Sequence, residues 1–235
     1  MKKLTALCCC AAFVMMSVSM TSCKKDNANP SEDPTPTPTP TLANSTWVGH
    51  ATIDSISTTM VFYFNSASTF RAANNISNTE VETLEGTYTF DGTTAKFSVA
   101  GHEVGTGTIA GNSMTMTEEG VTITFKRESS NAPSDLTGSL YTYGIPMMAD
   151  VKFNFLSQSQ VSYTIEISLP PFAGTPICDT TSYEYDGLAI NFPLDLGIPG
   201  VPPIASAEGI AYGNTIEVFA GLPIPGFSSI KLEKL

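Results

Sequence analysis

The residues able to do chemistry are few, and their spacing offers no constellation. Two histidines, His50 and His102, stand far apart in the chain. Neither belongs to a His-Glu-x-x-His helix, a paired Cys-x-x-Cys or a glycine-rich phosphate loop, so neither a metal nor another cofactor is expected. The serines of "TGSLY" and "FNSAS" lie outside any Gly-x-Ser-x-Gly elbow. Glu80, Glu82, Glu85, Glu118 and Glu119 could in principle pair as general acid and base, but their setting reads as solvated strand faces. Cys178, in "GTPICDTT", has no sequence cue for a partnering base and reads as a partly buried thiol. The chain is therefore read as non-enzymatic.

The other cysteines tell a different story. Cys8, Cys9 and Cys10 lie inside an apolar run from Leu4 to Met20 that follows Lys2 and Lys3, and Cys23 closes that run. A positive start and a short apolar stretch make an export signal, too short to span a bilayer stably. Its last residues, Met20-Thr21-Ser22-Cys23, resemble the bacterial lipobox, with Met where Leu is usual. The resemblance implies that residues 1–22 are removed by lipoprotein signal peptidase and that Cys23 becomes a lipid-modified N-terminus. The protein then partners a membrane through that lipid, in the bacterial cell envelope at the outer membrane, with the periplasmic or surface face left open. Each buried methylene contributes about 0.8 kcal/mol, so two or three acyl chains hold a protein durably.

Composition narrows the partners. The net charge is −11, and the mature chain loses the positive charges of Lys2 and Lys3 as well. Nucleic acid, whose phosphates require clustered Lys and Arg, is excluded as a partner. After Cys23 comes "KKDNANPSEDPTPTPTPT", with no aromatic or large aliphatic side chain and with Pro alternating with Thr. Proline fixes φ and removes donors, so residues 23–41 read as a polyproline II tether, rising about 3.1 Å per residue to roughly 55 Å at full extension.

From Leu42 the texture becomes that of strands. Met60-Phe62-Phe64, Tyr88-Phe90, Ala95-Phe97-Val99, Met114-Met116 and Val121-Ile123-Phe125 place apolar residues at period two. Asp91-Gly92 and Gly111-Asn112 read as two-residue hairpin turns. The second half echoes the first: "FNSASTF", "EGTYTFDGTTAKF" and "GTIAGNSMTM" return as "FLSQSQV", "TTSYEYDGLAINF" and "EGIAYGNTIEV". At the front, Leu42, Ser45 and Trp47 match Leu136, Ser139 and Tyr141. Two homologous domains follow, 42–128 and 135–235, joined by a linker at 129–134.

Each repeat has room for about eight strands, and eight antiparallel strands in up-and-down order close into a barrel that leaves no edge. The fold class is all-β, two tandem small antiparallel up-and-down barrels, with a β-sandwich as the alternative. Trp47 or Tyr141 near a glycine, followed by a hairpin meander, resembles the calycin superfamily of lipocalin-like barrels, in particular the calycin-like domains of bacterial lipoproteins. That resemblance implies a ligand-binding barrel.

In a meander successive connections alternate between the two ends. One end of the second barrel thus collects "GIPMM", "SLPPFAGTPICD", "DLGIPGVPPIAS" and "AGLPIPGF", where the first barrel carries polar loops. Exposed apolar clusters mark contact surfaces. The candidate binding residues are Ile145, Met147, Met148, Phe172, Ile177, Ile198, Val201, Ile204, Leu222, Ile224 and Phe227. Their expected partner is a small hydrophobic molecule or an envelope protein; the competing reading has these loops plug the barrel or pack on the first domain. A structural or adhesive subunit and a carbohydrate-active accessory protein remain as alternatives, the latter because most of the tyrosines lie in the second repeat.

Overall fold

The computed structural model describes residues 41–118, 120–145, 149–168, 173–174, 176–195, 203–220 and 229–235. They form strands and no helix. In the first half these are β1 (Ser45–Ile53), β2 (Ile56–Phe64), β3 (Thr69–Asn75), β4 (Val81–Phe90), β5 (Thr94–Val99), β6 (His102–Ala110), β7 (Ser113–Glu118) and β8 (Val121–Arg127). Each pairs antiparallel with the next, and β8 returns to β1 through Trp47↔Arg127, closing a barrel.

The second half contains β9 (Leu140–Ile145), β10 (Ala149–Phe155), β11 (Gln160–Ile167), β12 (Ile177–Ser182), β13 (Glu184–Tyr185), β14 (Ala189–Leu194), β15 (Ile204–Tyr212), β16 (Thr215–Phe219) and β17 (Ile230–Lys234). Its sheet runs β12-β11-β10-β9-β17-β16-β15-β14-β13. The two ends of that order, β12 and β13, are halves of one chain segment kinked at Tyr183. The first half pairs with β11 and the second with β14, so the segment closes the barrel covalently.

Pro193 accounts for the kink. Tyr183 N donates to Ser159 O, which turns the odd-numbered amides of this segment toward β11 and the even-numbered ones toward β14. On β14, Ala211 N donates to Leu188 O, so the odd residues of β14 face β13. Residue 193 is therefore the next to offer an N–H in that direction, and proline has none. Pairing between the segment and β14 is limited to Glu184↔Asn191 and Tyr185↔Ile190, and on its other side β14 shifts register against β15 between Phe192 and Leu194.

Period two sets which side chains fill the barrels. In the first, Trp47, Phe64, Phe70, Tyr88, Phe97, Met114 and Phe125 point inward and are buried. Phe97 sits at the centre of an aromatic stack, its ring centroid 5.3 Å from Phe62, 6.0 Å from Phe64 and 5.3 Å from Phe70. The second barrel is filled in the same way by Tyr141, Phe153, Phe155, Tyr163, Tyr183 and Phe192.

Contacts recur at the matched positions. Tyr88 OH donates to Ser66 O at 2.9 Å, and Tyr183 OH donates to Ser157 O at 2.8 Å. Phe64 meets Tyr88 edge-on at 4.8 Å, as Phe155 meets Tyr183 at 5.0 Å. Asn44 N donates to Phe64 O and Gly138 N to Phe155 O, from residues that both have positive φ. The correspondence fails at one place: Trp47 Nε1 donates to Ser45 Oγ at 2.9 Å, whereas the Tyr141 hydroxyl is buried with no hydrogen-bond partner. An unsatisfied buried hydroxyl costs free energy. Tyr141→Phe is accordingly expected to raise stability by about 1 kcal/mol in urea titration, and a loss of stability would contradict that account.

The turns differ in part from the sequence reading. Gly111-Asn112 is a two-residue turn between Ala110 and Ser113. Asp91-Gly92 instead opens a four-residue connection, 91–94, between the paired Phe90 and Ala95, in which Asp91 Oδ1 accepts from Thr93 N at 2.8 Å and from Thr94 N at 2.7 Å. Asp186 does the same with Leu188 N and Ala189 N. Two tight hairpins were not foreseen. Asp54-Ser55 and Ala100-Gly101 both adopt positive φ at both positions, as a type I′ turn demands, although three of those four residues have a Cβ.

Candidate functional site

The two barrels meet along a seam built from outward-facing side chains. On β1, β2 and β3 these are Val48, Val61 and Ala73; on β15 and β16 they are Ile210, Tyr212 and Phe219, with Leu188 beside them. Burial of each large apolar member contributes about 1.5–3 kcal/mol. Arg71 Nη2 reaches Asp186 Oδ2 at 2.7 Å near the turn ends of both barrels. Nearer the opposite ends, Val81 N donates to Glu208 Oε2 at 2.5 Å. The barrels thus lie side by side, turn ends together and loop ends together.

Glu217 is the polar centre of this seam. On β16 the interior residues are Ile216 and Val218, so the side chain between them points out of its own barrel toward the first, where it is only 3% exposed. Donors from both barrels converge on it. Thr59 Oγ1 donates to Oε2 at 2.9 Å, Tyr212 OH to Oε2 at 3.1 Å and Ser229 Oγ to Oε1 at 2.6 Å; Lys231 Nζ stands 3.7 Å from Oε2. The Tyr212 hydroxyl is held far above its ordinary range by burial and then by Glu217, so it remains a donor.

His50 joins this cluster from the rim. Its Nδ1 lies 3.0 Å from Thr59 Oγ1. The single Thr59 hydroxyl proton goes to Glu217, so His50 donates from Nδ1 and its Nε2 is left as the basic nitrogen. Burial lowers the His50 pKa below its ordinary 6.5; Lys231 lowers it further, and Glu217 opposes them. Because the folded-state pKa is depressed, this group's contribution to stability is complete above the unfolded pKa and is lost as pH falls through 6.5 toward the folded value. Stability should therefore decline as pH falls through 6.5, and His50→Gln should reduce that slope in thermal melts taken on either side of it. A slope unchanged by the substitution would remove His50 from the account. Glu128 works in the other direction, since burial and then Glu233 raise its pKa.

The loop end of the second barrel is defined by its strand ends. Ala149 pairs with both Ile145 and Ile167, Ile165 pairs with Ile177, Leu194 with Ile204, and Val218 with Ile230. All four sequence-predicted apolar connections leave from this one end. Of the predicted residues, Ile177 and Ile204 are half-buried and pack against the core of the second barrel. Ile145 lies in β9, where its backbone alone is described. Met147, Met148, Phe172, Ile198, Val201, Leu222, Ile224 and Phe227 lie outside the described residues, as does Cys23.

Beside this end, the interior Tyr163 hydroxyl reaches into the split that Pro193 leaves between β12 and β14. It donates to Asp195 O and accepts from Asp195 N, both at 3.0 Å, and lies 3.4 Å from Asp179 Oδ2. Cys178, read as partly buried, is exposed. Its neighbour Ile177 takes the inward position, and alternation turns Cys178 out, 3.7 Å from Thr164 Oγ1.

Among the described residues no group of three or more His, Cys, Asp or Glu could hold a metal ion. Glu80, Glu82 and Glu85 are exposed on the first barrel. Of the tyrosines of the second half, Tyr141, Tyr163 and Tyr183 are buried in the core, Tyr143 and Tyr185 pack against it, and Tyr212 faces the seam. They form no aromatic platform for a sugar ring.

No protein-family model matches the chain, and no curated protein matches it. Among solved structures, the Helicobacter pylori beta clamp bound to a DNA ligase peptide is 9% identical, with 65% of this chain and 55% of that chain covered, at a TM-score of 0.13. The same clamp in complex with diflunisal is 8% identical, covering 63% of this chain and 53% of that one, at a TM-score of 0.12. The chain spans about half the length of these structures, and at such scores the likeness carries no argument about fold or function.

Proposed function

We propose that this is a lipid-anchored, non-catalytic module of the bacterial cell envelope that engages another envelope protein through the loop end of its second barrel. The observation that supports this reading most is the convergence of strand ends at Ile145, Ala149, Ile167, Ile177, Leu194, Ile204, Phe219 and Ile230, from which four proline-rich apolar connections leave. Proline in such connections lowers the ordering cost of binding. A partner surface is favoured over a small hydrophobic ligand because rings fill the barrel interiors, as the 5.3 Å contact of Phe153 with Phe192 illustrates.

The position of the tether supports the same reading. Leu42 is buried, Ser45 Oγ donates to Leu42 O, and Asn44 N donates to Phe64 O at 2.6 Å, which pins the start of the folded part at the turn end. The apolar connections of the second barrel leave from the opposite end, away from the anchor. A surface placed there meets a neighbouring envelope component more readily than its own bilayer.

Two substitutions test the proposal separately. Cys23→Ala should move the protein from the membrane fraction to the soluble fraction, and retention in membranes would reject the lipid anchor. Phe172→Ser with Phe227→Ser should abolish partner binding while the melting temperature holds. A lowered melting temperature would place these two rings in the core or the seam instead.

A further inference from the structure

A groove of about 500 Å³ opens at the turn end of the first barrel, where the chain crosses from one barrel to the other. Asn44 at the entry to β1, Asn112 of the β6–β7 turn, Arg127 at the end of β8, and Glu128, Ser130 and Asn131 of the connecting segment line it. Its volume falls within the range of small-molecule sites. Its chemistry is unlike theirs, because the lining is mainly polar: the side chains named offer carboxamides, a hydroxyl, a guanidinium and a carboxylate.

Three features restrict what fits. Arg127 and Glu128 offset one another in charge, so the site suits neither an anion nor a cation alone. Carboxamides and hydroxyls donate and accept side by side, the pattern that adjacent hydroxyl groups of a ligand match. Ser130 Oγ is shielded from solvent within this segment and has no hydrogen-bond partner, while Asn131 Oδ1 is held by Thr46 Oγ1 only at 3.5 Å. A buried hydroxyl without a partner is costly unless something satisfies it.

The wall behind the groove is fixed. Arg127 N donates to Asn112 O at 3.0 Å, Glu128 N to Thr46 O at 2.8 Å, and the Arg127 guanidinium lies 6.0 Å from the Trp47 ring centroid. On the far side, a Cβ at Gly213 would stand 3.0 Å from Glu128 Oε2 and in ordinary contact, 3.6 Å, with Ser130 Oγ, and the positive φ of Gly213 favours glycine there. We propose that this groove binds a neutral, polyhydroxylated ligand, a saccharide unit, held by Asn44, Asn112, Asn131 and Ser130 through hydrogen bonds. The proposal is independent of the loop-end reading, because the two sites lie at opposite ends of the molecule.

The test uses the full chain in a zwitterionic detergent, chosen because it carries no sugar headgroup. Saturation-transfer NMR and calorimetry against a panel of neutral mono- and disaccharides should give a binder. The pair Asn112→Ala with Ser130→Ala should weaken that binder by about tenfold or more, the loss of two hydrogen bonds, at an unchanged melting temperature. Silence across the neutral panel, or a binder indifferent to these substitutions, would overturn the proposal. Binding of an extended peptide or an acidic sugar in preference to every neutral one would overturn it as well.

Discussion

Glu217→Ala should split a single cooperative unfolding transition into two. The side chain lies in the seam at 3% exposure and receives Thr59, Tyr212 and Ser229 as hydrogen-bond donors. Removing it takes away the charged acceptor that these three hydroxyls share and leaves a cavity in the seam, at an expected cost of about 2–4 kcal/mol. Little of that comes from Lys231, whose side chain is 45% exposed and whose pairing is screened by water. The chain reports on itself conveniently here. Trp47 is the sole tryptophan and sits fully buried in the first barrel, so its fluorescence follows that barrel, while far-ultraviolet dichroism follows both. In the wild type the two signals should unfold together; in Glu217→Ala they should separate. Glu217→Gln keeps one oxygen for Thr59 and Tyr212 and can donate to Ser229, so it should cost about 1 kcal/mol and keep the transition single. Coincident transitions in Glu217→Ala would show that the seam rests on its apolar contacts alone.

The second large effect is expected inside the first barrel. Phe97 is 1% exposed and stacks against Phe62, Phe64 and Phe70 at once. Phe97→Ala removes a ring from a wall of β-strands that cannot collapse inward without breaking the closure between β1 and β8. The expected loss is about 3–5 kcal/mol, and it should appear first in Trp47 fluorescence. Ordinary domains are stable by only about 5–15 kcal/mol, so this single change should bring the first barrel close to unfolding at body temperature. A shift below about 1 kcal/mol would mean that the aromatic stack rearranges to fill the space.

The strands and the all-β architecture were legible because each barrel is buried on its inner face and period two survives there. The seam was not, and the reason lies in particular residues. "WVG" places Val48 beside the inward-facing Trp47, and "MVFYF" places Val61 between the inward-facing Met60 and Phe62, which breaks the alternation and marks strands covered on both faces. Reading only Met60, Phe62 and Phe64 from that run hides Val61 and, with it, the contact surface. Glu217 in "NTIEVF" looks like an ordinary solvent-facing strand residue, since nothing local announces that another barrel covers it. The same holds for His50, which acquires a partner only through Thr59 on the neighbouring strand. Asp54-Ser55 and Ala100-Gly101 were missed as hairpin turns because neither pair carries the Asn-Gly or Asp-Gly signature. Pro193, by contrast, was readable in principle as a break in pairing, and its consequence is the split bridged by Tyr163.

Strand β10 runs between the two poles of the second barrel and lets them be compared. Ala149 opens β10 beside the apolar connections, and Leu156, 49% exposed, follows its last residue at the turn end. A photo-crosslinking side chain placed at each position in turn, in the intact envelope, measures directly which pole is engaged. The account predicts a discrete protein adduct from position 149 that disappears with Phe172→Ser and Phe227→Ser, and none from position 156. An adduct from position 156 alone, or lipid adducts from position 149, would contradict it.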